Sequence, residues 1–286
     1  MYYLLIIIAV LMFGGCFALN DEYRKLRSSS FTSSMESSFV GSIAGLVVLL
    51  FVSGLHFEVT IFTLFMAACA SLCGIGFTFC SFKALDKVNL SLYSLFSMLG
   101  GMALPFFQGI LFFEERFTNA KKICFVLISI ALLLTVSKGK SKKGTIYYVG
   151  VFMFNGLAGV LSKIFVSAPF EKTSSKWYSI WIAIFTIVIS GMLRFGVLRK
   201  KEMQRYTWKA LGISSMNGVL NRVANLLLVI ALAHVDTSVQ YPMVTGGVII
   251  VSTLVCYLGK NKPKKKEIYS VVLAFAGLLI LFLMKS

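Results

Sequence analysis

Acid is what this chain has least of. Eleven Asp and Glu stand against 28 Lys and Arg in 286 residues, with only two His and four Pro. All of the acidic residues fall in loops or near the ends of apolar runs. No carboxylate at mid-membrane depth is therefore on offer to exchange protons against an organic cation. No grouping of carboxylates, histidines or a nucleophile with its base points to enzymatic work on a lipid, which remains the reading from another class. No ATP-binding loop occurs, so a nucleotide-driven process is not expected. The six cysteines (Cys16, Cys69, Cys73, Cys80, Cys124, Cys256) all lie inside or beside apolar runs. Cys69 and Cys73 share a helix face, but no histidine or second pair completes a metal set and no secreted disulfide framework is present. They read as small packing residues, and no cofactor or metal is expected.

What the chain has in abundance is apolar sequence: 58% hydrophobic residues and a mean hydropathy of +0.85. The apolar residues come in runs of about twenty, the length that crosses a bilayer as a helix. Ten such runs occur, near Tyr2–Leu19, Phe39–Leu55, Ile61–Phe82, Leu90–Phe113, Ala120–Val136, Ile146–Val166, Trp177–Val197, Trp208–Ala233, Val239–Leu258 and Ile268–Met284. The expected fold is an all-α membrane protein with ten transmembrane helices. The Ser-rich, charged stretch Asn20–Ser38 reads as the longest loop, parts of which could extend the first or second helix. No positive residue precedes the first run, and it is echoed in the second half, so it reads as a retained helix rather than a cleaved signal peptide or lipoprotein leader.

The chain repeats itself. Ala84-Leu85-x-x-Val88-Asn89-x-Ser91 returns as Ala231-Leu232-x-x-Val235-Asp236-x-Ser238, an offset of 147, and Gly100-Gly101 returns as Gly246-Gly247. Phe112-Phe113-Glu114-Glu115-Arg116 lies 145 residues before Tyr257-Leu258-Gly259-Lys260-Asn261. Val10-Leu11-Met12-Phe13-Gly14-Gly15 is echoed by Val151-Phe152-Met153-Phe154-Asn155-Gly156. One unit is used twice: residues 1–137 and 145–286, joined by the basic loop 138–144. Five helices per unit is an odd number, so the second unit enters the membrane from the opposite side, giving two inverted five-helix repeats.

A net charge of +17 would suggest a nucleic-acid partner in a soluble protein, but here the basic residues sit in short loops between apolar runs. They set topology, with anionic lipid headgroups as their partner. Loops after odd-numbered helices carry nineteen Lys and Arg, and those after even-numbered helices, with the C-terminus, carry six. The positive-inside rule puts both termini outside the cytoplasm.

The run from Ala84-Leu85 through Ser91, Gly100-Gly101 and Pro105 to Phe113-Glu114-Glu115-Arg116-Phe117-Thr118 resembles the EamA module of the drug/metabolite transporter superfamily. That module has an Ala-Leu before a short loop, a small-residue-rich fourth helix and a Gly-Glu-Arg-Leu-Thr-like turn before the fifth. The second copy, with Ser238, Gln240, Tyr241-Pro242, Thr245 and Gly246-Gly247, is also similar to the small multidrug resistance helix pattern. The resemblance covers the whole chain and implies a carrier in the cell membrane that works by alternating access around a central cavity. Two features depart from it: Gly259-Lys260-Asn261-Lys262-Pro263 lacks the acidic turn, and family members are expected to keep their termini in the cytoplasm.

Candidate chemistry lies on the eighth span, where Asn217, Asn221 and Asn225 share one face beside Arg222. Polar groups at that depth are costly unless they face water or one another. They read either as a solute-binding stripe, with Arg222 drawing a carboxylate or phosphate, or as interhelical glue. The ninth span (Gln240, Tyr241, Pro242, Thr245, Gly246, Gly247) and its image in the fourth (Tyr93, Ser97, Gly100, Gly101, Pro105) read as cavity walls. In these two spans the glycines and prolines serve as hinges or as close-packing positions. Lys163 has a cavity role or snorkels to the interface, and Arg194 snorkels. Trp177, Tyr178 and Trp181 read as an interfacial belt or a stacking surface for a solute, and His56 and His234 as loop histidines. The expectation is a secondary transporter of a small polar metabolite, of the amino-acid or organic-anion class, with no nucleic-acid partner, as a monomer or weak homodimer. A multidrug or organic-cation exporter of the same superfamily is the alternative.

Overall fold

A computed structural model describes residues 1–27, 30–54, 57–87, 90–135, 145–197, 207–258 and 265–284. The basic connector 138–144, His56, and the turn Gly259-Lys260-Asn261 lie outside the described residues, as do the side chains of Tyr93 and Cys256. All regular structure among the described residues is helical. The helices are α1 (Tyr2–Leu26), α2 (Phe31–Ser53), α3 (Ile61–Lys87), α4 (Leu90–Phe112) and α5 (Asn119–Thr135), then α6 (Thr145–Ser167) and α7 (Ser175–Met192). Alpha-helix α7 continues into a π-helical turn (Leu193–Val197), and α8 (Trp208–Leu232), α9 (Thr237–Leu258) and α10 (Lys265–Leu283) complete the chain. Six helices hold segments long and apolar enough to cross a membrane: α1, α2, α3, α6, α7 and α8. Shorter apolar segments occupy α4, α9 and α10. Phe51, Ile61, Phe112 and Trp208 stand 78–89% exposed. Water would not tolerate so much bare apolar surface, which is the make-up of a membrane-embedded, multi-pass chain.

The stretch expected as a long loop is mostly helix. Helix α1 runs on to Leu26, and α2 starts at Phe31, where the Ser30 side chain caps it by accepting from the Ser33 N–H at 3.1 Å. Serine favours caps because its hydroxyl satisfies a backbone donor that has no partner within the helix. Polarity alone reads as loop, but here the polar first turns of α2, Thr32 to Glu36, are buried against neighbours.

Packing sorts the helices into two groups that cut across sequence order. Alpha-helix α8 packs on α1 and α2, and α1 on α9; α6 packs on α4 and α3, and α3 on α7. The groups meet along α2 with α7 and along α4 with α9, while α5 and α10 pair with each other. Glycine makes the tightest crossings possible. A Cβ on Gly218 would lie 2.1 Å from the Gly41 carbonyl oxygen, and one on Gly100 would lie 2.2 Å from that of Phe152. Backbone meets backbone in both places, as small residues allow between membrane helices.

The end of α4 is strained. Glu115 donates its N–H to the Gly109 carbonyl at 3.1 Å, which forces Glu114 into the left-handed region at φ 51°. The resembled turn has Gly at this position, and an L-residue there costs about 1–2 kcal/mol.

A candidate solute chamber closed at both ends

The asparagines of α8 divide. Asn217 donates to the Asn20 side chain of α1 at 3.0 Å. Asn225 donates to the Asn221 carbonyl oxygen at 2.8 Å and to its side-chain oxygen at 3.1 Å. Asn221 and Asn225 are exposed, and so are Gly212 and Met216 of the same helix. At 3.6 residues per turn the two pairs stand roughly 140–180° apart. The Gly212 and Met216 side is the outer face, so the amides are exposed toward the inside of the bundle. Contacts flank them on both sides: to α1 through Asn217 and Cys16, and to α2 through Gly218 and Arg222.

Arg222 lies toward α2, with its stem along Gly45 and its guanidinium donating to the Ser42 hydroxyl at 2.8 Å. Among the described residues it has no carboxylate partner. In α4 and α9 the predicted residues are mostly packing groups. Ser97 is buried, and its carbonyl accepts from Asn155 at 2.7 Å; Gln240 is buried and donates to the Leu228 carbonyl at 3.0 Å. Tyr241 brings its hydroxyl against Gly159, beside Pro105, and Thr245 is buried. Gly101 faces Asn155, Gly246 faces Ile128 and Leu278, and Gly247 faces Val10. Pro105 and Pro242 are buried inside their helices. The glycines are thus close-contact positions whatever motion passes through these helices.

One end of the inward face of α8 is sealed by an apolar cluster. Val229 joins Met66, Ala67 and Ala70 of α3, Phe165 of α6 and Tyr178 of α7, with the Phe165 and Tyr178 rings stacked at 3.9 Å. Beyond it Lys163 meets Glu115 at 3.3 Å, with both side chains nearly buried. The Glu115 carboxylate also accepts from the N–H of Thr237 at 2.8 Å, from the N–H of Ser238 at 2.9 Å, and from the Ser238 hydroxyl. These are the first residues of α9, so Glu115 caps that helix from another part of the chain and sits at its positive end. Burial alone would raise the Glu115 pKa, but the hydrogen bonds from Ser238 and Thr237 outweigh it and hold the carboxyl below its ordinary value. Nearby, Lys121 pairs with Asp236 at 2.8 Å.

The other end is held by a second carboxylate. Glu36 of α2 is buried between Arg27, at the end of α1, and Arg194, in the π-turn after α7, with Arg194 at 2.5 Å. Next to it Ser214, near the start of α8, donates to the Ser37 carbonyl at 3.0 Å. The two carboxylates therefore lie near opposite ends of α8, a helix about 37 Å long for its 25 residues.

Three expectations need correcting. Lys163 and Arg194 do not snorkel: both are buried and bound to carboxylates that sequence reading had left in loops. Trp177 and Tyr178 are no interfacial belt, being packed inside; Trp181 is half-buried and donates to the Glu58 carbonyl at 3.1 Å. His234 is, as expected, an exposed histidine in the turn after α8, where it stacks on Tyr2 at 3.9 Å. Sequence reading missed Glu115 and Glu36 as organising residues. The acidic turn was the available signal for the first, and Glu36 carried none.

No family model matches the sequence. No curated protein matches it. The fold is shared with a protein of known crystal structure at TM-score 0.79, with 14% identity, covering 99% of this chain and 96% of that one.

Proposed function

We propose that this protein is a secondary transporter with ten spans in two inverted five-helix units of the EamA kind. It carries a small polar metabolite, of the amino-acid or organic-anion class, across a cell membrane by alternating access. The observation that carries this reading is the Asn221–Asn225 pair, exposed at mid-helix on the side turned away from the outer face. Amides at that depth stay solvated only in a watery chamber, and they offer donors and acceptors to whatever replaces the water.

The packing pattern supports two units. Exchanging α1–α5 for α6–α10 turns α1 on α8 into α6 on α3, α2 on α8 into α7 on α3, and α4 on α6 into α9 on α1, and each of these pairs packs. It also supports two moving bodies: α1, α2, α8 and α9 against α3, α4, α6 and α7. Glu36 joins the first body to Arg194 of the second, and Glu115 joins the end of α4 to the start of α9. Each carboxylate is then a latch at one mouth, and transport opens them in turn. The nineteen basic residues of the odd-numbered loops put the Glu36 mouth toward the cytoplasm. Arg222, whose guanidinium meets only a serine hydroxyl among the described side chains, favours neutral or anionic solutes over cations.

The test is thermal stabilisation of the purified protein by amino acids, organic anions, nucleosides and quaternary cations, followed by counterflow in liposomes. One class should stabilise the protein and exchange, and Asn221→Ala should abolish both effects. If only quaternary cations stabilise, the organic-cation exporter replaces this reading.

A further inference from the structure

Gly74 of α3 is the residue that the offset of 147 pairs with Asn221, and Thr78 pairs in the same register with Asn225. Gly74 is exposed, and a Cβ built on it would meet nothing within 4 Å. Ile61, Phe65, Leu72 and Phe79 are exposed apolar side chains of the same helix. Gly74 stands roughly 140–180° around from them, so its open space lies inside the bundle. Gly212 also has open space around it, but on the outer face of α8. Thr78 follows one turn later and donates to the Gly74 carbonyl at 2.9 Å, in a solvent-accessible bond.

The apolar cluster fixes how the two helices are levelled. Ala70 and Val229 belong to the same cluster. Gly74 and Thr78 come one and two turns after Ala70, while Asn225 and Asn221 come one and two turns before Val229. The inner faces of α3 and α8 therefore run antiparallel from a common ceiling, with the bare backbone of one at the level of the amides of the other.

We propose that Gly74 and Thr78 form the second wall of the solute site, opposite Asn221 and Asn225, and that the missing side chain at Gly74 sets how bulky a solute the site admits. This rests on the carrier reading. The division of the walls names the class of solute. Two carboxamides and a hydroxyl meet a head that both donates and accepts hydrogen bonds, such as an α-amino acid group. The glycine gap and the ceiling of Ala70, Met66 and Val229 receive an apolar side chain. A neutral amino acid with an aliphatic or aromatic side chain has that shape. Asymmetry between the copies is the reason: with Asn at both positions the pocket would be polar and half-filled.

Two measurements on the full-length protein in liposomes test this. The first is counterflow of alanine, leucine and phenylalanine in wild type, Gly74→Leu and the milder Gly74→Ser. Expected is a loss of about tenfold or more for leucine and phenylalanine in Gly74→Leu with alanine nearly unchanged, and a smaller loss in the same order for Gly74→Ser. The second is modification of Gly74→Cys by a charged, membrane-impermeant thiol reagent, scored above the wild type's own labelling. Labelling with a shifted size limit supports the proposal. Labelling with an unshifted limit in both variants overturns the role of Gly74 and leaves the carrier standing. Absence of labelling overturns the inward placement of Gly74. Should wild type exchange none of the three while Gly74→Cys is labelled, the amino-acid assignment and the size filter fail, and the carrier reading is decided by the wider solute panel; if no solute of that panel exchanges either, the chamber is merely watery. A Gly74→Leu protein that does not fold leaves the Gly74→Ser profile to decide.

Discussion

Glu36 and Glu115 do the same job at opposite ends of the bundle with different chemistry. Glu36 is an ion among ions: two guanidinium groups close on one buried carboxylate. Glu115 has one ammonium and otherwise the N–H groups and hydroxyl at the start of α9. The first mouth is held by charges that are costly to bury and costlier to separate. The second is held by hydrogen bonds that water can replace one at a time. On the proposed carrier reading, the Glu115 end is the one that opens more readily.

The largest test of that contrast is Glu36→Gln, which takes away the buried carboxylate that Arg27 and Arg194 share. It should lower stability by about 3–5 kcal/mol in a thermal or denaturant melt in detergent, and an unchanged melt would refute the ionic account. Glu115→Ala removes a helix cap and the partner of Lys163. A smaller loss of about 2–3 kcal/mol is expected, partly restored by adding Lys163→Met. If both variants lose the same amount, the contrast between the two ends has no energetic content.

Acid sharpens it further. The folded Glu115 carboxyl titrates below its unfolded value of about 4.3, so its contribution is fully present above that pH and drains away as pH falls through the lower folded value. Melts from pH 7 down to 3.5 should show wild type converging on Glu115→Gln only below about pH 4.3. Convergence already at pH 6 would contradict the hydrogen-bonded assignment. Beside this latch, Glu114→Gly should raise stability by about 1 kcal/mol by relieving the left-handed backbone. Last, Asp236→Asn should change stability by about 0.5 kcal/mol or less, because Asp236 is 54% exposed and its pair with Lys121 is screened.

Hydropathy alone was enough to find the helices, because twenty apolar residues in a row have few alternatives. The Asn217, Asn221 and Asn225 stripe was visible for the same reason that helical period is visible. What could not be read was which way a long side chain bends. Lys163 and Arg194 lie near helix ends, and whether they reach for water or for a carboxylate depends on Glu115 and Glu36, brought in by helices remote in sequence. Gly74 shows the opposite failure: the repeat offset pointed at it through Asn221, but a glycine has no polarity to draw notice. The aromatic start of α7 misled because tryptophan and tyrosine suit an interface and a packed core equally well.

The crossing at Gly41 and Gly218 bears on how the chain is made. Helices α1 and α2 have α8 as a main partner, and α8 begins at Trp208, some 155 residues after α2 ends at Ser53. At about 5–20 residues per second, translation takes roughly 8–30 s to deliver it. During that interval the two helices sit in the bilayer with glycine faces and the buried-to-be Arg27 and Glu36 still without Arg194. A ribosome halted after α5 would therefore hold a set of helices still awaiting partners, and membrane chaperones and proteases would find their openings there.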